Sequence, residues 1–123
     1  MFIHWGVYSI PARGEWTYAN DAWKEGEYEA FAKVFNPTNY NPREWAKLAK
    51  RAGMKYAVLT TRHHDGFCMF DSRFTDYKIT KTPYGKDIVR DFDYYTPEIC
   101  VPSEPLRVKG REVSWETCAT IRS

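Results

Sequence analysis

The stretch "NPREWAKLAKRAGMKYAVLTT", residues 41–61, decides the fold. It opens like a helix: Asn41 stands at the capping position, Pro42 suits the first helical turn, and Glu44 completes a box-like start. Trp45, Leu48, Ala49 and Ala52 recur on one helical face, and Gly53 suits the C-terminal stop. Residues 54–61 then read as a strand with an apolar middle, as in a parallel sheet covered on both sides. A helix running directly into such a strand is half of a βαβ unit. The spacing therefore asks for an earlier strand and for chemistry at the strands' C-terminal ends.

Working outward, "MFIHWGVYSI" at residues 1–10 supplies the earlier strand, ending near His4-Trp5-Gly6. Residues 1–9 and 54–62 are expected to pair in parallel. Between them runs "PARGEWTYANDAWKEG", residues 11–26, which has no clear period and reads as a long loop, a kind that is usually functional. Next, "EYEAFAKVF" places Tyr28, Phe31, Ala32 and Phe35 on one helical face. After the second strand come His63 and His64, side by side, followed by Asp65-Gly66, a strong turn signal. The chain holds only three histidines, and all three are expected at one rim of the βαβ unit.

Composition narrows the class. With 123 residues the chain reads as one domain, and 43% hydrophobic content suffices for a modest core. A net charge of +2 is too small to suggest nucleic acid or an anionic membrane as a partner. The N-terminus has neither a basic region nor a long apolar stretch, so no signal peptide is read there. Cys68, Cys100 and Cys118 lack metal-site spacing; one bridge could form among them, and the compartment stays open.

Two readings of the histidines compete on residue chemistry. As a strand-end pair, His63 and His64 would bond to backbone. As a metal site, three histidines with Asp65 would gather round zinc, although adjacent strand side chains point to opposite faces.

The second half departs from the pattern. "TPYGKDIVRDF", residues 82–92, looks like another helix with Ile88, Val89 and Phe92 inward. The tail that follows offers no buried strand comparable to residues 54–61, as if something were missing after Phe92. Trp115 reads as packing, and "KLAKR" as a solvated helix face.

The motifs "FIHWG", "HHDGF" and "YYTPE…WETCATI" resemble those of the α-L-fucosidase family of glycoside hydrolases (family 29). That resemblance implies an α/β fold, a partial (β/α)8 TIM barrel. Residues 1–92 would supply its opening βα units and residues 93–123 a later barrel segment. It implies a retaining hydrolase of terminal α-L-fucose acting on fucosylated glycans, with no cofactor and no metal. His4, Glu15, Trp16, His63 and His64 match the sugar-binding positions, and Glu98 matches the acid/base of one branch, with Glu116 second. In such a pocket neutral imidazoles would give each hydroxyl a donor or an acceptor, with Trp5 and Trp16 as flat walls. No residue matches the family's nucleophilic aspartate, and the strands between the two blocks are absent. The resemblance thus implies that this chain alone is inactive, or is a non-catalytic fucose-binding relative. Members are commonly secreted, periplasmic or lysosomal. Exposed sheet edges would promote self-association.

Overall fold

A computed structural model describes residues 1–95, 107–108, 111–112 and 116–120. The chain is mixed α/β. Strand β1 (Phe2–Ile3) pairs in parallel with β2 (Tyr56–Thr60), Phe2 opposite Val58 and Ile3 opposite Leu59. The expected parallel pair is present but short, because the backbone turns into a 3-10 coil at Val7–Ser9. Between the strands lie α1 (Thr17–Asn20), a 3-10 turn at Glu29–Lys33 and α2 (Pro42–Arg51); α3 (Ile88–Tyr95) follows β2. Among the described residues no helix is long and apolar enough to cross a membrane.

Helix α2 forms for the local reasons its sequence announces. The Asn41 side chain accepts the Glu44 amide at 3.2 Å, and Pro42 occupies the first turn. Glu44 does not reach back to close a capping box; its carboxylate takes Lys47 at 2.7 Å instead. At the far end Met54 N–H bonds to Ala49 and Gly53 N–H to Lys50, both at 3.0 Å, with Gly53 at φ +69°. That is a Schellman stop, which needs a left-handed residue.

The expected apolar face of α2 is only partly covered. Ala49 is buried and Trp45 half-buried, but Leu48 is 54% exposed and Ala52 is exposed. The helix rests on α3 along one side, so an apolar stripe wider than that contact is left in solvent. The "EYEAFAKVF" segment buries Tyr28 and Phe35 as expected, but through a 3-10 turn rather than an α-helix.

Side chains of Ala57 and Leu59 point into the core with Val7, Tyr8, Tyr28, Phe35, Phe67, Met69, Ile79, Ile88 and Phe92. The core therefore lies between the sheet and the helical layer. In α3, Ile88 and Phe92 are fully buried, and the Asp87 carboxylate caps the helix by accepting the Arg90 amide at 2.8 Å. Trp5 packs against Phe35, Tyr40 and Trp45, with ring centroids 5.6–5.9 Å apart.

The tail corrects one expectation. Strand β3 (Arg107–Val108) pairs with β4 (Arg111–Glu112), and β5 (Glu116–Thr120) runs antiparallel to β2 from Tyr56↔Thr120 to Thr60↔Glu116. The tail does supply a strand, and it covers one edge of β2 that was expected to lie open. Its "ETCAT" sequence has β-branched threonines but no apolar run, so pattern alone hid it.

Candidate functional site

The register of the two parallel strands builds the site. With Ile3 opposite Leu59, His4 falls opposite Thr60, and His4 Nδ1 lies 2.8 Å from Thr60 Oγ1. Beyond Thr60 the chain makes a tight excursion. Met69 N–H bonds to Thr61 at 2.8 Å, and Arg62 bridges to Cys68. His63 and His64 ride on this excursion, in a turn closed by Gly66 N–H to the His63 carbonyl at 3.0 Å, with Gly66 at φ +79°. The Asp-Gly turn signal is thus realised, and the turn, not the strand, carries the pair. Adjacent side chains can then share one face.

They do. His63 lies edge-on to His4 at 4.8 Å and to His64 at 4.5 Å between ring centroids. The Trp16 ring, 53% exposed, stacks on His64 at 4.4 Å and 17° and meets His63 edge-on at 5.8 Å. His64 Nε2 donates to the Glu15 carbonyl at 2.9 Å. A carbonyl only accepts, so this bond places a proton on Nε2 and leaves Nδ1 of a neutral His64 as an acceptor. The structure thus brings His4, Glu15, Trp16, His63 and His64 together. Glu98 lies outside the described residues. Trp5, expected as a second flat wall, is instead in the helical layer, because its ring is claimed by Phe35, Tyr40 and Trp45.

Burial, then the imidazoles of His64 and His4, hold the His63 pKa below the ordinary histidine value. His63 is therefore neutral at pH 7, and its buried Nδ1 has no protein partner. Beside it, Tyr8 packs 5.3 Å from His63 and 5.7 Å from His4, and its buried hydroxyl is also unpartnered. Burial first, then the Asp65 and Glu15 carboxylates, push the Tyr8 phenol well up. Sequence reasoning passed over Tyr8 and Thr60. The only signal for Tyr8 was its position four residues after His4, close to the same strand end.

The carboxylates that follow β2 are already engaged. Asp65 is buried; its Oδ2 accepts Tyr28 Oη at 2.9 Å and its Oδ1 the Phe67 amide at 3.0 Å. Asp71 pairs with Lys78 at 2.9 Å and Thr80 at 2.9 Å, and exposed Asp76 lies 3.9 Å from Lys81. Cys68 is a buried free thiol whose pKa burial raises. Among the described residues no group of three or more His, Cys, Asp and Glu is arranged to hold a metal ion.

A parallel βαβ rim thus carries three imidazoles beside an indole face. Residues 1–98 match the model of the α-L-fucosidase family, and the chain belongs to that family. It is 57% identical to α-L-fucosidase isoenzyme 1 from Paenibacillus thiaminolyticus, with a TM-score of 0.75 over 80% of this chain and 24% of that one. It is 37% identical, with a TM-score of 0.75, to a Bacteroides thetaiotaomicron fucosidase trapped as a covalent intermediate with 2-fluoro-fucosyl fluoride; the match covers 82% of this chain and 26% of that one. Human tissue α-L-fucosidase is 40% identical over 88 residues, 58% of this chain. The chain spans 19% of the length of that human relative.

Proposed function

We propose that this chain carries the sugar-recognising part of a retaining α-L-fucosidase site. His4, Glu15, Trp16, His63 and His64 would bind the hydroxyls and flat face of a terminal fucose on a glycan. The observation that supports this reading most is the convergence of three imidazoles from two strand ends, with the His63 Nδ1 and Tyr8 hydroxyl both buried and unpaired. Buried polar atoms rarely stay unpaired, and a bound sugar hydroxyl or water would satisfy them. A site built to hydrogen-bond hydroxyls rejects analogues that lack them.

In the same proposal residues 1–92 are the opening βα units of a (β/α)8 barrel and residues 93–123 a later barrel segment, brought together without the strands between. Retaining glycosidases use two carboxyl groups about 5–5.5 Å apart, one as nucleophile and one as acid/base. Glu98 is assigned the acid/base role from the motif it matches. Among the described residues, the aspartates that follow β2 are all engaged and none takes the nucleophile's role: Asp65 has both carboxylate oxygens occupied, and Asp71 and Asp76 face lysines. The isolated chain accordingly binds without efficient turnover, as a non-catalytic fucose-binding relative would. Self-association through the outer edge of β1, where Phe2 is 71% exposed, belongs to the same reading.

Titration with fucose, followed by NMR of the three histidines, tests the proposal. All three ring signals should move, and His63→Ala should weaken binding by about 1–3 kcal/mol through lost and unpaired hydrogen bonds. Signals that stay put, or that move only when zinc is added, would sink it.

A further inference from the structure

We infer that Asp65 and Tyr28 are positioning residues for the histidine pair: a carboxylate–phenol strut that ties the start of the 3-10 segment, just past the long first loop, to the turn carrying His63 and His64. This rests on the proposed function for its consequence but not for its geometry. The base of the excursion is closed by Met69 N–H on the Thr61 carbonyl and the Arg62–Cys68 bridge, while the turn at 63–66 is held within itself by Gly66 N–H on the His63 carbonyl and Phe67 N–H on Asp65 Oδ1. Those bonds set the shape of the turn. They do not set its direction relative to β1, where His4 sits.

Direction needs an anchor outside the turn, and Tyr28 supplies it. Its ring is 1% exposed, wedged edge-on against Trp23 at 5.9 Å and Phe31 at 5.7 Å. From that fixed base its hydroxyl donates to Asp65 Oδ2 at 2.9 Å, across 37 residues of chain. A buried phenol–carboxylate bond of this kind is directional. Tyr18 packs on Tyr28 at 4.8 Å and reaches His64 at 6.0 Å, while Glu15 and Trp16 grip the His64 ring itself. The chain between β1 and α2 thus holds the turn at two places, through Tyr28 on Asp65 and through Glu15 and Trp16 on His64. With the Tyr28 hold released, the turn can rock, and the His63–His4 edge contact at 4.8 Å is the first geometry to suffer.

Tyr28→Phe removes one oxygen and keeps the ring; Asp65→Asn keeps the shape and removes the charge. The readout is the imidazole ¹H and ¹⁵N signals of the 123-residue chain, with its amide spectrum as the check on folding and Tyr40→Phe, which removes a hydroxyl bonded to the Ile88 carbonyl, as comparator. In Tyr28→Phe the His63 and His64 signals should shift and broaden while His4, held by Thr60, moves little; Tyr40→Phe should leave all three in place. Asp65→Asn should produce the same pattern, more strongly, and decides the matter where Tyr28→Phe does not fold. A folded variant with His63 and His64 signals superimposed on the parent's overturns the inference. If the parent binds fucose, Tyr28→Phe should weaken it roughly two- to tenfold. If the histidines shift but no fucose binds to the parent, the proposed function fails and the strut stands.

Discussion

Replacing His64 with alanine should loosen the long first loop from the sheet end. The structure supplies the terms. His64 Nε2 donates to the Glu15 carbonyl at 2.9 Å, a net contribution of about 1 kcal/mol for a partly buried bond. Its ring stacks on Trp16 at 4.4 Å, which adds about 0.5–1.5 kcal/mol. Together the two contacts come to about 2 kcal/mol, or a fall in Tm of roughly 6–12 °C for a domain of this size. His64→Phe separates the terms, since it keeps a ring on Trp16 and leaves the Glu15 carbonyl without its donor; about 1 kcal/mol should be lost. Urea denaturation followed by far-ultraviolet circular dichroism measures both variants. Limited proteolysis should show faster nicking between residues 11 and 27 in His64→Ala. If both variants unfold within about 0.5 kcal/mol of the parent, with unchanged nicking, the loop is held by something other than His64.

Two further outcomes follow from the same rim. A Cβ at Gly6 would lie 2.7 Å from Cε1 of the buried Tyr8 ring, so Gly6→Ala should displace that ring, cost about 1–3 kcal/mol, and shift the His63 signals that Tyr8 flanks; a variant as stable as the parent with unmoved signals contradicts the close packing. His63 is held neutral, with its folded pKa below the unfolded value of about 6.5. The unfolded chain then binds the extra proton first, so the contribution is whole above about pH 6.5 and is lost as pH falls through the folded pKa. Stability measured from pH 7.5 down to 5 should decline partly through this residue, and His63→Phe should flatten that part of the profile; an unchanged slope would assign it elsewhere.

Helix α2 was legible residue by residue, because Asn41, Pro42 and Gly53 act on backbone groups only a few positions away. Strand β2 was legible from its apolar run, and the short register between β1 and β2 sufficed to put His4 and the histidine pair at one end. Family membership was legible too, since it resides in ordered motifs and not in shape. The strand at residues 116–120 was not, because it joins β2 through backbone pairing that its side chains do not advertise. Nor could periodicity tell that Leu48 would face solvent while Trp5 would pack away from the histidines, against Phe35, Tyr40 and Trp45. Amphipathic spacing marks a face as apolar without saying how much of it a neighbour covers. The site shows the same division. Residue types and motif order named the three histidines, Glu15 and Trp16, but their arrangement rests on bonds spanning 56, 49 and 37 residues: His4 to Thr60, His64 to Glu15, and Tyr28 to Asp65. Local preferences fade within a turn or two of chain. Only the packed tertiary structure could bring those partners into contact, because the first bond depends on strand register and the other two on where the chain between β1 and α2 comes to lie against the end of the sheet.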